Sequence, residues 1–191
     1  MAYSGVLART HLSIGGTRRK LMSQPDASLL QDVVTPKVLD ALKRASEALV
    51  VAGVRHVVIG GLAVGANGYA RNTKDVDFLV GAEAFEHHPG GLVTLRAGVP
   101  FQVNGVAIDF LSPDADEAFL EAALASPPGS MIDAGPLIYL KLKASRLKDQ
   151  ADVVELVKAS LDVDACRAYL QAHAQDLVAR FDALVERAAT E

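Results

Sequence analysis

Apolar residues recur at three- and four-residue spacing at Val38, Leu39, Leu42, Ala45, Leu49 and Val50, which predicts an amphipathic helix over 35–52. Thr35-Pro36 opens it, with Thr35 as N-cap and Pro36 where no amide donor is needed, and Gly53 stands where a left-handed cap belongs. Residues 56–59 are a short β-branched run closed by Gly60-Gly61, the pattern of a buried strand entering a tight turn. A second helix is expected over 62–69. Alternation over 76–80 predicts another strand, with Asp75, Asp77 and Leu79 on one face and Val76, Phe78 and Val80 on the other. The glycine-rich stretch 81–98 reads as loop, apart from a short strand at 91–96. Asn104-Gly105, the strongest two-residue hairpin signal, separates strands at 100–103 and 106–111 and makes them antiparallel neighbours. From residue 113 onward the pattern is helical, over 114–125, 136–145, 148–159 and 163–189. In the last of these Leu170, Leu177, Val178, Phe181, Leu184 and Val185 form one apolar stripe.

This order of elements predicts an α+β fold, a small mixed β-sheet flanked by helices with a C-terminal helical cap. The expected organisation is a partly disordered leader over 1–34, an α/β core over 35–112 and a helical region over 113–191, with no internal repeat. A chain of 191 residues, half of them hydrophobic and 22% charged, has room for one ordinary domain and can bury a real core. Its apolar stretches are interrupted by charges and glycines well short of a membrane span, so no membrane partner is expected. The single cysteine, Cys166, excludes an intramolecular disulfide and a multi-cysteine zinc cluster, and suits a reducing, cytoplasmic setting. Packing is its expected role.

Charge is uneven. The net charge is −4, yet residues 1–21 carry Arg9, Arg18, Arg19 and Lys20 against no acid, which leaves the remainder at −8. An acidic body argues against broad coating of nucleic acid, though not against a local contact. Residues 1–21 are expected to be a disordered leader or to lie upstream of the true start, Met22 opening the stretch before the first helix; an ordered arm or a basic nucleic-acid tail is the alternative.

The most informative residues are Asp75 and Asp77. Strand geometry projects both carboxylates from one face amid apolar neighbours, where like charges repel unless one is protonated, a basic side chain covers them, or a divalent cation sits between them. Asp109, between Ile108 and Phe110 on another strand, is a third acid in the same apolar setting. Three such acids at a sheet edge suit two hard cations held by oxygen ligands, the arrangement that serves phosphoryl or nucleotidyl transfer. Gly60-Gly61 would let backbone amides approach a polyphosphate. No Lys or Arg occurs between Arg96 and Lys141; then Lys141, Lys143, Arg146 and Lys148 arrive within eight residues. Lys141 and Lys148, seven apart, would share a helix face as a phosphate clamp; the bland reading is a solvated face with Lys148 pairing to Asp152. Arg71 would hold a phosphate or position the Asp77 strand, and Thr73 would be no more than a turn residue. His87-His88 reads as surface loop, because adjacent histidines point apart on an extended chain, and Tyr69 is expected to pack behind the glycine turn.

Taken together, Ile59-Gly60-Gly61, a thirteen-residue spacer, Asp75-Val76-Asp77-Phe78 and the later Ile108-Asp109-Phe110 resemble the signature of the polymerase-β-like nucleotidyltransferase superfamily. Within it, GYARNTKDVDFLV, the later KLKA at residues 141–144 and RLKD at residues 146–149 look most like the AbiEii-type toxins and related uncharacterised nucleotidyltransferases. Many of those are longer and carry serine where this chain has Gly61. The resemblance implies an enzyme that moves a nucleoside monophosphate from a nucleoside triphosphate to an acceptor hydroxyl, with two Mg2+ ions held by Asp75, Asp77 and Asp109. Gly60, Gly61, Arg71, Lys141, Arg146 and Lys148 would bind the nucleotide, Lys141 at the triphosphate, and Asp149 and Asp152 would line the cleft. The acceptor implied first is an RNA end such as that of tRNA, in an enzyme paired with a cognate antitoxin. The alternatives are a small-molecule transferase of the aminoglycoside or lincosamide kind, favoured by a deep acidic pocket where RNA would call for a contiguous basic groove, and a catalytically inactive binding or antitoxin-like domain.

Overall fold

A computed structural model describes residues 24–191 of the chain; the expectations for residues 1–21 lie outside the described residues. Two helices and two strands begin the fold: α1 (Pro36–Val51), β1 (His56–Val58), α2 (Gly60–Ala66) and β2 (Val76–Val80). A small hairpin, β3 (Phe85–His87) and β4 (Val93–Leu95), precedes a second one, β5 (Gln102–Val103) and β6 (Val106–Leu111). The helical half comprises α3 (Glu121–Leu124), α4 (Ala134–Ala144), α5 (Leu147–Lys158), α6 (Val163–His173) and α7 (Val178–Thr190). The α+β class holds, as a small mixed sheet with a helical C-terminal half. None of the described helices is long and apolar enough to cross a membrane.

The main sheet has the order β1-β2-β6-β5, antiparallel at both edges and parallel between β2 and β6. Strand alternation divides its side chains between two apolar layers. Val58, Val76, Phe78, Val80, Val106 and Ile108 face α1, where Val38, Ala41, Ala45 and Leu49 are buried. Val57, Ile59 and Leu79 face the other way and join Leu137, Ile138 and Leu142 of α4 with Leu156, Leu170, Phe181 and Leu184 of the following helices. The helical half thus completes the core that the sheet begins. Leu30 and Val34, within the expected leader, are buried against the α1 layer, and the Asp26 amide donates to Ala66 at 2.8 Å.

Several elements differ from their sequence-based expectations for identifiable reasons. Asn104 and Gly105 both take positive φ, as the two-residue hairpin requires, and Gly53 is left-handed after α1. Thr35 is extended and Pro36 opens the helix, but the threonine side chain makes no cap bond. The short strand expected at 91–96 is β4, and its partner Phe85–His87, expected as loop, is a strand too short for its alternation to register. The expected helix over 114–125 shrinks to a turn at Ala118–Leu120 and the four residues of α3. The helix expected over 163–189 is two helices, broken where Ala174 adopts φ −157°, ψ 65°. Unbroken, it would extend about 40 Å, beyond the core it must cover; folded back, Leu170 and Phe181 reach the same cluster. Cys166 is buried in that cluster, and burial pushes its thiol up to about 12, as expected of a packing residue.

Phe181 is fully buried at the centre of the helical layer, so Phe181→Ala is expected to cost about 3–5 kcal/mol of stability by the cavity it leaves. Equilibrium unfolding in urea measures this, and a loss under about 1 kcal/mol would show that the layer is not a packed core.

Candidate functional site

The parallel register sets Asp77 beside Asp109 on adjacent strands, as Val76 lies beside Ile108 and Phe78 beside Phe110. Both aspartates project from the face that carries Leu79, opposite the α1 layer, and Asp75 shares that face just before β2 begins. On this face α4 covers the inner part of the sheet and leaves a cavity of about 560 Å³. The nine residues expected to bind metal or nucleotide all line it, Gly60, Gly61, Arg71, Asp75, Asp77, Asp109, Lys141, Arg146 and Lys148, as does Asp149; Asp152, also expected to line the cleft, lies behind it, bonded to Arg71 and Lys141. The apolar side chains of α4 that line it, Leu137, Leu140 and Ala144, were not revealed by the sequence. Four cationic and four anionic side chains border it, the eighth being Asp149. It is therefore neither a contiguous basic groove nor a deep acidic pocket.

The turn after β1 brings the chain against the acids. Gly60 sits at φ +64°, and a side chain there would overlap the carboxylate of Asp77. The Gly61 amide lies near that carboxylate and favours its charged form. This explains why Gly60 carries no Cβ: the backbone passes where one would stand. α2 accordingly begins at Gly60, two residues earlier than the pattern implied, and ends at Ala66 before the left-handed Gly68.

The carboxylates of the cavity fall into two electrostatic classes. Lys141, 6% exposed, donates to Asp149 at 2.9 Å and Asp152 at 2.8 Å. Arg71 grips Asp152 through Nε at 2.7 Å and Nη2 at 2.8 Å, and Arg146 holds Asp149 at 2.6 Å. Burial works against the charge of Asp152, but the bonds from Arg71 and Lys141 outweigh it and hold the carboxyl below the ordinary range. Asp149 is held down in the same way, by Arg146 and Lys141 against burial. Asp75, Asp77 and Asp109 have no such relief: among the described residues none of the three takes part in an ion pair. Burial, then the charges of Asp75 and Asp109, push the carboxyl of Asp77 upward, and the more distant Lys141 and the Gly61 amide offset this only in part. Asp75 accepts a hydrogen bond from Thr73 Oγ1 at 2.7 Å.

Two expectations require correction. Lys141 and Lys148 do not share a helix face, because Ser145 turns left-handed at φ +63° and separates α4 from α5. Nor does Lys148 pair with Asp152, whose oxygens are taken by Arg71 and Lys141; Lys148 stands exposed at the rim. His87 and His88 are exposed, His88 lying 3.1 Å from Thr94 Oγ1. Tyr69 packs against the helical layer.

Among the described residues no three His, Cys, Asp or Glu side chains are gathered closely enough to form a finished metal cage. The donor set nonetheless fits a hard divalent cation, since it consists of carboxylate oxygens whose mutual repulsion is only partly offset and by no ion pair among the described residues.

A raised carboxyl means that the fold favours protonated Asp77, so its contribution to stability is complete below the ordinary carboxylate range and is lost as pH rises through the raised value. Asp77→Asn is therefore expected to melt a few degrees above the wild type at pH 7, with the gap closing in acid; thermal unfolding across pH tests this, and a variant less stable at pH 7 than the parent refutes it. Lys141→Met, which takes one of two cationic partners from each of two buried carboxylates, is expected to cost about 3 kcal/mol. Arg146→Ala, at a side chain 75% exposed that still bonds buried Asp149, should cost less, about 1 kcal/mol; urea unfolding of both variants separates the buried lysine from the rim.

No family model matches the chain and no curated protein matches it, so the chemistry of this cavity is read from its own side chains.

Proposed function

We propose that the protein is a metal-dependent nucleotidyltransferase of the polymerase-β-like kind, moving a nucleoside monophosphate from a nucleoside triphosphate to an acceptor hydroxyl. The observation that carries this reading is the parallel pairing of Asp77 with Asp109, beside Asp75 and against the turn at Gly60-Gly61, in one cavity that Arg71, Lys141, Arg146 and Lys148 also line. Asp75 and Asp77 would hold Mg2+, and Asp109 would share one ion. Bound divalent cations would neutralise charge on the phosphates and acidify the acceptor hydroxyl.

The rest of the chemistry falls to the chain itself. The glycine turn brings its backbone to the cavity beside the acids, and at the rim Lys148, together with Arg146 from its bond to Asp149, meets the outer charges of the polyphosphate. Lys141, tied to Asp149 and Asp152, acts from behind them: it holds α4 to α5 and lends its field to the cavity. Asp109, the most exposed of the three acids, lies where an acceptor arrives from solvent and takes the hydroxyl proton. The acceptor oxygen bonds to the α-phosphorus as the bond to pyrophosphate breaks, and pyrophosphate leaves past Arg146 and Lys148. Fixed charge and positioning provide most of the acceleration in such transfers.

The acceptor we propose is an RNA end such as that of tRNA, on the resemblance of residues 60–80 to the AbiEii-type toxins, and a cognate antitoxin is the partner that accompanies it. Incubation with each α-labelled triphosphate, Mg2+ and total RNA is expected to place label on RNA and release pyrophosphate, with at least a hundredfold loss in Asp75→Asn and Asp77→Asn, on the order of a removed transition-state contact. Label on a small molecule or on protein, with RNA unmarked, would overturn the acceptor. No transfer and no triphosphate binding sensitive to Asp77→Asn would overturn the enzyme.

A further inference from the structure

The transfer described above gives Thr73 nothing to do, yet it is one of the few buried polar side chains among the described residues, 4% exposed. Its hydroxyl donates to Oδ1 of Asp75 at 2.7 Å. On its other side lies Gly61, where a Cβ would come within 2.8 Å of Thr73 Oγ1 and 3.1 Å of its Cβ. Threonine and glycine are thus packed as closely as atoms permit. Two residues upstream Arg71 is anchored to Asp152 by two hydrogen bonds, and its Nη1 lies 3.4 Å from the same Cβ position. Residues 71–75 form a strap lying across the bare surface of Gly61, fixed to the helical half by Arg71 and to the acid by Thr73.

Asp75 precedes the first residue of β2, so the ladder does not set the direction of its side chain. A carboxylate in that place must lose rotamer freedom when it binds an ion, and a partner that already holds one oxygen reduces this cost. We propose that Thr73 is a positioning residue: by occupying Oδ1 of Asp75 it leaves Oδ2 for a divalent cation shared with Asp77, and position 61 is glycine because the hydroxyl needs that space. The proposal rests on the reading of Asp75 and Asp77 as cation ligands.

The test is Mn2+ binding without nucleotide, followed by the electron paramagnetic resonance of the free ion, for the wild type and the variants Thr73→Val, Thr73→Ser, Gly61→Ala and Asp75→Asn. Thr73→Val keeps the shape and removes the donor, and is expected to weaken binding by about tenfold or more, the range for loss of a group that orients a ligand. Thr73→Ser restores binding to near wild type, and Gly61→Ala, which displaces the hydroxyl, reproduces the Thr73→Val defect. Wild-type binding in Thr73→Val while Asp75→Asn has lost it overturns the positioning role and leaves the cation site standing. Equal weakness in Thr73→Val and Thr73→Ser also overturns it. Unchanged binding in Asp75→Asn overturns the cation site itself. If Thr73→Val does not fold, wild-type binding in Gly61→Ala overturns the positioning role.

Discussion

Two parallel strands set side by side with an aspartate on each, and a third aspartate one pleat away, create a repulsion that the described part of the molecule relieves only in part. The contrast within the cavity gives this its meaning. Asp149 and Asp152 are more deeply buried than Asp77, yet each is matched by two cations and held below the ordinary carboxylate range, whereas Asp77 is pushed up. Burial alone therefore does not decide the state of a carboxylate here; partnership does. A fold able to build a buried network of alternating charge on one wall leaves the facing acids without cations of their own, and such a cluster is stable only in so far as the rest of the core sustains it.

That support comes from both sides of the sheet. The α1 layer is a continuous apolar surface beneath β2 and β6, and the opposite layer begins at Leu79, next but one to Asp77. The strand is therefore clamped at its apolar end while its acidic end projects beyond α4 into the cavity. Arg71, Lys141 and Arg146 join three segments of chain through Asp149 and Asp152, so the charged wall and the apolar core are held by the same helices, α4 and α5. Buried networks of this kind add little net stability against an apolar replacement but fix one arrangement among several.

Much of the sheet and the membership of the site were legible in the sequence because they depend on local rules. The alternation at 76–80 placed Asp75 and Asp77 on one face, Asn104-Gly105 announced its hairpin, and the nine residues expected to bind metal or nucleotide line the cavity. What was illegible depends on distant neighbours. The four-residue spacing of Lys148 and Asp152 suggested a pair, but Asp152 is claimed by Arg71 from 81 positions away and by Lys141 from the preceding helix. The break at Ala174 answers to the size of the core beneath it rather than to any breaker residue, and β3 is too short to show a period. Thr73 read as a turn residue because its burial depends on Gly61, twelve positions earlier, having no side chain.

The left-handed Ser145 that parts α4 from α5 also sets the order in which the cavity can come into being. Its acidic wall is complete once the chain has been made through β6, whereas the counterions Asp149 and Asp152 lie on the helix beyond that joint, and Arg71 must wait for them across a loop of 81 residues. A nascent chain emerging from the ribosome thus exposes the anionic cluster before the groove that faces it exists. The cavity closes only when α5 has been made, an interval of latency written into the topology itself.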